Sequence, residues 1–396
     1  MNAEPDNIRV LSLDGGDVFC MSQLEILKEY MYRLETDTSS TVRVCDHFDL
    51  IVGVGGGGIL AILFGVMGLT VDEATDVYIR ICNSVFLDEF QTPEKRSRAL
   101  LKACEEELGQ LKDAKLREDA QLLKGCKVAL GYTPAIHQGQ CRFFRNYSAR
   151  HFSQDVTAIQ AIQATWATPG IFPSVQIGPP LREEEAVSAV NGFNNPITEA
   201  IKEAKEIFGP KMKISCLLSL GSGKRRLATS FTGDISNMHW AERSVRDSEV
   251  ISDDAQRQLG HTGVYFRLSA DFTLNADVEH VDKKRLFGSI AAYTGSYLRL
   301  AGPESVMDAC IKAAARGEGV SLEYLGQTPL NKSKQSAHGL PPLSPFFVPR
   351  YEPMKKIIEG IVDDMEDEQK VFILSGLGGS GKTQLAIKFA RDQADL

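Results

Sequence analysis

None of the eight cysteines, Cys20, Cys45, Cys82, Cys104, Cys126, Cys141, Cys216 and Cys310, stands in a CxxC pair. That absence argues against a zinc site and against a disulfide framework, and leaves reduced core thiols as the reading. A basic excess is missing too. The formal net charge is −8, and phosphate-backbone recognition needs clustered cations, so a nucleic-acid partner is not expected. The nearest approach to a basic patch, Lys224-Arg225-Arg226, reads as a solvated loop. Residues 1–7 are polar and acidic and lack the basic and apolar regions of a signal peptide, so a cytoplasmic location is expected.

A continuous apolar span is also lacking. Residues 50–69 carry no charge over 20 positions, long enough on paper to cross a bilayer. Seven of them are glycine, four in a row at 55–58, and each costs a helix about 1 kcal/mol relative to alanine. The stretch is read instead as a buried strand at 48–52, a glycine turn at 53–58 and a buried helix from about Gly58 to Val66.

What is present is ordinary globular material, 396 residues with 43% hydrophobic and 24% charged composition, enough for a large core and part of a second domain. A first strand at 8–13 ends in Asp14-Gly15-Gly16. Leu24, Leu27, Met31 and Leu34 then recur at helical spacing. Thr70 with Glu73 forms a capping box that opens another helix through Ile81. Two strand–turn–helix units in succession predict a parallel sheet with helices on its faces. Residues 93–125 read as a charged, helical surface excursion. Further strands are expected at 127–130, 141–147, 214–220 and 264–268. Glu183-Glu184-Glu185, after Pro179-Pro180, reads as a solvated loop.

Composition then shifts to Pro, Ser, Lys and Gly, a linker signature at 327–350. It separates a first domain, 1–326, from residues 351–396. There Met354, Ile357, Ile358, Ile361, Val362 and Met365 form one apolar helical stripe. A strand at 370–374 precedes Gly376-Leu-Gly378-Gly379-Ser380-Gly381-Lys382-Thr383, a full GxxxxGK[ST] match, and helical residues 384–391 follow. Backbone N–H groups of such a loop cradle phosphates; Lys382 would reach the β and γ phosphates and Thr383 would ligate Mg²⁺. The segment resembles the start of NB-ARC or NACHT-type domains of STAND receptors. ATP or GTP with Mg²⁺ is therefore expected only for a complete C-terminal domain, the segment as given being truncated before any Walker-B acid.

Six blocks in the first domain occur in a fixed order: Val10-Leu-Ser-Leu-Asp14-Gly-Gly16, Phe48-Asp-Leu-Ile-Val-Gly53, Phe144-Arg145-Asn146-Tyr147, Ala164 to Phe172, Val190-Asn191-Gly192-Phe-Asn194-Asn195-Pro196-Ile197 and Leu218 to Gly223. In that order they resemble patatin-like phospholipases over roughly residues 8–300. The resemblance implies a three-layer α/β/α sandwich with a mostly parallel sheet. It also implies a Ser–Asp dyad: a serine on a GxSxG elbow, an aspartate in a DGG or DGA motif, and an oxyanion hole in a DGGGxRG turn.

Each part is altered in this sequence. The elbow reads Gly53-Val54-Gly55-Gly56-Gly57-Gly58, so the nucleophile position falls on Gly55, or on Gly56 if the register slips. No Ser, Thr or Cys lies between Asp46 and Leu69. The base position holds Asn191, whose amide cannot take a proton as a carboxylate does. The oxyanion turn, Gly15, Gly16 and Asp17 followed by Val18, Phe19 and Cys20, has Asp17, Phe19 and Cys20 where the resemblance implies Gly, Arg and Gly. A carboxylate 4 Å from a forming oxyanion costs up to about 4 kcal/mol at an effective dielectric near 20.

The sequence therefore reads as a degenerate lipid acyl hydrolase domain without an intact catalytic residue and without a cofactor. It would serve as the N-terminal module of a nucleotide-controlled receptor, with a lipid or membrane surface as partner and oligomerisation in the full-length receptor. Two rivals remain. Gly53-x-Gly55-x-x-Gly58 formally matches a dinucleotide fingerprint, although Asp72 and Asp76, at the expected distance for its acid, lie in a helical stretch. An active hydrolase would need a base such as Glu185 and a serine such as Ser12 or Ser174.

Overall fold

The computed structural model describes residues 7–38, 41–86, 92–117, 126–151, 154–224, 235–272, 285–327, 353–354, 357, 373–375 and 381–393. The chain divides into two compact units, Met1–Thr328 and Pro329–Leu396.

Among the described residues, nine strands form one sheet in the first unit: β1 (Asn7–Leu13), β2 (Leu50–Val54), β3 (Lys127–Pro134), β4 (Arg142–Arg145), β5 (Val175–Ile177), β6 (Glu184–Ser188), β7 (Lys213–Leu220), β8 (Tyr265–Leu268) and β9 (Val320–Ser321). The order is β5-β6-β3-β2-β1-β7-β8, with β4 beside β3 and β9 beside β7. Pairing is parallel through β3-β2-β1-β7-β8 and antiparallel at β3-β4, β3-β6, β5-β6 and β7-β9. Every residue of β2 is buried, as expected when helices cover both faces of a parallel sheet. One set of helices, Cys20–Thr38, Val71–Phe86, Pro93–Leu108, Ala158–Trp166, Leu286–Leu298 and Ala301–Arg316, packs among itself. A second set, Ile197–Phe208 with Ile235–Leu259 and Leu322–Gln327, does likewise. The fold is α/β with a mostly parallel central sheet.

Several expectations shift. Leu24, Leu27, Met31 and Leu34 are all buried on the helix Cys20–Thr38. The strand expected at 48–52 is Leu50–Val54, and the helix begins at Gly56 rather than Gly58, continuing as a π-helical turn over Ile62–Val66. The glycine turn thus shrinks from six residues to one. The capping box forms, with Glu73 N donating to Thr70 Oγ1 at 3.3 Å and Thr70 N to Glu73 Oε2 at 2.9 Å, and its helix runs on to Phe86. The helix Pro93–Leu108 is no mere surface excursion: it buries Leu100, Ala103, Cys104 and Leu108, and with them Arg96.

Glu184 and Glu185 are not loop residues. They open β6, where Glu184 is half-buried against Arg142, Glu185 is exposed and Ala186, Val187 and Ser188 are buried, so the glutamates occupy the wet end of the strand. The eight cysteines are free and all but Cys141 are buried. No helix among the described residues is long and apolar enough to cross a membrane. Gln327 ends a helix, and residues 328–350 of the expected linker lie outside the described residues. In the second unit, Ile357 is buried, whereas Ile358, Ile361, Val362 and Met365 lie outside them. The strand expected at 370–374 is not seen at 373–375, which carry no regular structure; residues 370–372 are not among those described. A helix spans Lys382–Gln393.

Candidate active site

The parallel strands β1 and β2 end side by side, and their C-terminal ends carry the oxyanion-type turn and the elbow. At the elbow the chain reverses on one residue, Gly55, with φ 56° and ψ −126°, and Gly56 is already helical. This selects Gly55 over Gly56 as the apex. The positive φ is strained for residues with a Cβ and open to glycine, and a sharp strand-to-helix turn is the geometry that exposes a nucleophile in α/β hydrolases. The neighbouring glycines answer to packing. A Cβ on Gly57 would stand 2.5 Å from the carbonyl oxygens of Leu13 and Asp14, and one on Gly58 would stand 2.9 Å from Thr165. Gly55 N donates to Thr165 Oγ1 at 3.1 Å, while Gly58 N and Ile59 N both turn back to Gly55 O. Amides bonded internally leave little for a pyrophosphate, and Asp72 and Asp76 do sit on the helix Val71–Phe86, so the dinucleotide reading finds no support.

Over the apex stands Val190. A Cβ on Gly55 would meet Val190 Cγ1 at 2.8 Å, then Gly15 Cα at 3.5 Å and Ser188 Oγ at 4.0 Å; a Cβ on Gly15 would run into the same Val190 methyl. One methyl group therefore fills the space between elbow and turn, and Val190 packs with Val54 and Ala189. Asn191 is half-buried, and its Nδ2 donates to Gln138 Oε1 at 3.4 Å. The structure thus brings Val190 and Ser188 to the elbow ahead of Asn191. Ser188 Oγ donates to Thr165 O at 2.5 Å.

The turn is equally committed to internal bonds. Gly15 N donates to Asn194 O at 3.1 Å. Asp17 adopts φ 47°, its Oδ1 accepts Trp166 Nε1 at 2.5 Å and its carbonyl accepts Tyr78 Oη at 2.7 Å. The indole N–H thus fixes where the Asp17 carboxylate sits beside the turn, without removing its charge. Cys20 is buried, and its thiol and the Gln23 amide both donate to Asp14 O, at 3.7 and 2.7 Å.

Beneath the turn, Asp14 forms a buried bidentate pair with Arg267 of β8, at 2.9 and 2.6 Å, and Ser219 Oγ accepts from the same guanidinium at 2.8 Å. Burial pushes the Asp14 carboxyl up to about 6 against the pull of Arg267, and Asp14 in turn raises Arg267. Sequence reasoning missed Arg267, Val190 and Trp166. A signal existed for the first: an arginine inside the apolar run Val264-Tyr-Phe-Arg-Leu268 is rarely buried unless paired.

Of the rival residues, Ser12 is buried within β1 and its hydroxyl has no hydrogen-bond partner. Ser174 Oγ instead contacts Glu185 Oε1 beside β5 and β6. The Phe144-Arg145-Asn146-Tyr147 block is structural. Arg145 grips Glu203 through two 2.6 Å contacts, Tyr147 donates to Glu203 at 2.7 Å, and Asn146 bonds the start of β3 through Val128 N and Cys126 O. Of the phosphate-loop residues, Gly376, Gly378, Gly379 and Ser380 lie outside the described residues. Gly381 has φ 81° and accepts from Leu385 N at 2.9 Å, with Lys382 and Thr383 opening the helix. Among the described residues, no cluster of His, Cys, Asp and Glu could hold a metal.

The model of the patatin-like phospholipase family matches residues 11–201. A mouse (Mus musculus) calcium-independent phospholipase A2-gamma is 24% identical over 309 residues, covering 70% of this chain and 37% of that protein. A cGAMP-activated phospholipase of Escherichia coli (strain TW11681) is 28% identical over 233 residues, 54% of this chain and 62% of that one. A probable inactive patatin-like protein 9 of Arabidopsis thaliana is 26% identical over 309 residues, 70% of this chain and 78% of that one. The chain thus spans little more than a third of the length of the mammalian relative.

Proposed function

We propose that the patatin-like phospholipase domain carried by residues 11–201 has no acyl-hydrolase turnover and acts by binding, as the N-terminal module of a nucleotide-controlled, STAND-type receptor. One observation carries the first half: the Val190 methyl occupies the space between Gly15 and Gly55, where a hydrolase must admit the ester carbonyl. Loss of a serine nucleophile alone costs on the order of 10⁶ in kcat, and a filled site removes the binding that could sustain a remnant. The GxxxxGK[ST] match at 376–383 motivates the second half, with ATP or GTP and Mg²⁺ as ligands of a complete domain, Lys382 on the phosphates and Thr383 on the metal.

The Ser174–Glu185 contact favours a second reading, an active lipid acyl hydrolase built on a non-family pair. A fluorophosphonate probe separates the two. The binding reading expects no covalent label on the purified chain and no hydrolysis of short-chain p-nitrophenyl esters above a denatured control. A label mapped to Ser174, removed by Ser174→Ala together with turnover, would replace it with the enzymatic one.

A further inference from the structure

A second concavity lies between the β3–β4 hairpin and the helix Ile197–Phe208. It is a cleft of about 1020 Å³, at the upper end of the ~300–1,000 Å³ typical of small-molecule sites. Its apolar side is aromatic: Phe143, Phe193 and Tyr132, the last stacked on Phe144 with ring centroids 4.1 Å apart. Phe193 and Cys141 also pack against the Val54–Ala189–Val190 cluster, so the cleft backs onto the residue that closes the elbow.

The charges are unevenly matched. Its lining holds Arg142, Arg145, Arg150, Lys202 and Lys205 against Glu199, Glu203 and Glu206. Arg145 is bound to Glu203, Lys202 to Glu199 at 3.1 Å, and Arg142 to Glu184 at 2.7 Å. Among the described residues Arg150 and Lys205 form no ion pair. Glu206, the remaining carboxylate, accepts the His151 backbone N–H at 3.0 Å. Two uncommitted cations therefore line a cavity with an aromatic wall, in a chain whose net charge is −8.

We propose that this cleft binds an organic phosphate ester, its phosphate paired with Arg150 and Lys205 and its body laid against Phe143 and Phe193. A phosphate monoester carries close to two negative charges near neutral pH, enough to engage both cations beside Glu206. Charge-assisted hydrogen bonds to Lys and Arg are among the strong ones, and the preformed ion pairs keep the other three cations from reorganising. The proposal depends on the binding reading only in that the domain acts without turnover. A labelled serine would overturn that reading and leave the cleft to its own test.

The test is calorimetry on the full chain with three probes: inorganic phosphate, glycerol 3-phosphate, and 1-octanoyl lysophosphatidic acid below its micellar concentration. Saturable binding of at least one ester is expected, weakened at least tenfold by Lys205→Glu and by Arg150→Glu, and by added salt. Both side chains are solvent-accessible, and unchanged melting of the variants confirms that they fold; Lys205→Gln should fall between wild type and charge reversal. The phosphate loop is separated by Lys382→Ala, which should leave this binding intact. Tighter binding of the lysophospholipid identifies a lipid headgroup as the source of the phosphate, and equal binding of the two esters a soluble one; either upholds the site. No saturable binding up to millimolar probe, or binding lost in Lys382→Ala but indifferent to Lys205→Glu, overturns it.

Discussion

The elbow and the cleft behind it are built from neighbouring residues and have opposite chemistry. At the elbow, Gly55 N, Gly15 N and the Asp17 carboxylate all find partners inside the fold, and a methyl fills the remaining space. In the cleft, three ion pairs leave two of its cations without an ion pair among the described residues. A fold with glycine at the apex of its elbow need not lose its concavities. What distinguishes a silent site from a usable one is whether its donors and its space are already spent.

The largest effect expected on the cleft side comes from its buried pair. Arg145 and Glu203 are each 6% exposed. Glu203→Gln leaves the guanidinium buried without its counter-charge and should cost about 3–5 kcal/mol, whereas Arg145→Met with Glu203→Leu should come within about 1 kcal/mol of wild type. Urea unfolding midpoints measure both. If the single change costs no more than the double, the pair is better solvated than its burial implies.

On the elbow side the corresponding change is smaller. Gly57→Ala forces a methyl against the Leu13 and Asp14 carbonyls and should destabilise by about 1–3 kcal/mol through overpacking. Gly192, at φ 92° with nothing within 4 Å of its Cβ position, supplies the control: alanine there meets only the backbone strain of a positive φ, about 1 kcal/mol. Equal costs at the two positions would mean that the elbow is looser than the contacts indicate.

Much of this division was legible in the sequence. The alternation of strand, glycine turn and helix gave the parallel sheet, and the Thr70–Glu73 pair gave a cap, because both signals are local. The absence of any Ser, Thr or Cys between Asp46 and Leu69 was plain for the same reason. Val190 and Trp166 were not, since what meets the elbow and its turn arrives from the segment just after β6 and from the helix Ala158–Trp166, more than a hundred residues away along the chain. Arg267 likewise becomes meaningful only when the β1-β7-β8 register brings it beneath Asp14. Glu184 and Glu185 misled because a charge run looks like a loop until a partner strand, here β5, pairs with its backbone.

Two buried groups should give the first unit opposing pH responses. Burial lowers His47, hydrogen-bonded to Tyr30 at 2.8 Å, from 6.5 to about 3, so it withdraws stability as pH falls through that window. Burial raises Asp14 from 3.8 to about 6, so its contribution is largest at low pH and is lost as pH rises from about 4 to 6. Each slope is at most about 1.4 kcal/mol per pH unit, and between pH 4 and 6 they should largely cancel. His47→Gln removes one of them. Its stability should then fall more steeply with rising pH across that interval than the wild type's does; a mutant profile parallel to the wild type would place the opposing groups elsewhere.

The smallest expected effect is on activity, from the change that looks most restorative. Gly55→Ser with Asn191→Asp rebuilds the dyad on paper, yet p-nitrophenyl ester turnover should stay at the wild-type background. The new serine Cβ would lie 2.8 Å from Val190 Cγ1, so either the valine moves or the elbow does. The new carboxylate would start from a position directed at Gln138, and the Gly15 N–H is already bonded to Asn194 O; each missing oxyanion donor is worth about 10²–10³ in kcat. Geometry favours another combination, Gly55→Ser with Ser188→Asp and Val190→Ala, because Ser188 Oγ is 4.0 Å from the apex Cβ position and the alanine empties the space above it. Fluorophosphonate labelling of that triple variant but not of the Gly55/Asn191 double would confirm that Val190, more than the absent hydroxyl, keeps the elbow shut. Labelling of the double alone would show that Asn191 occupies the base position after all and that the valine yields.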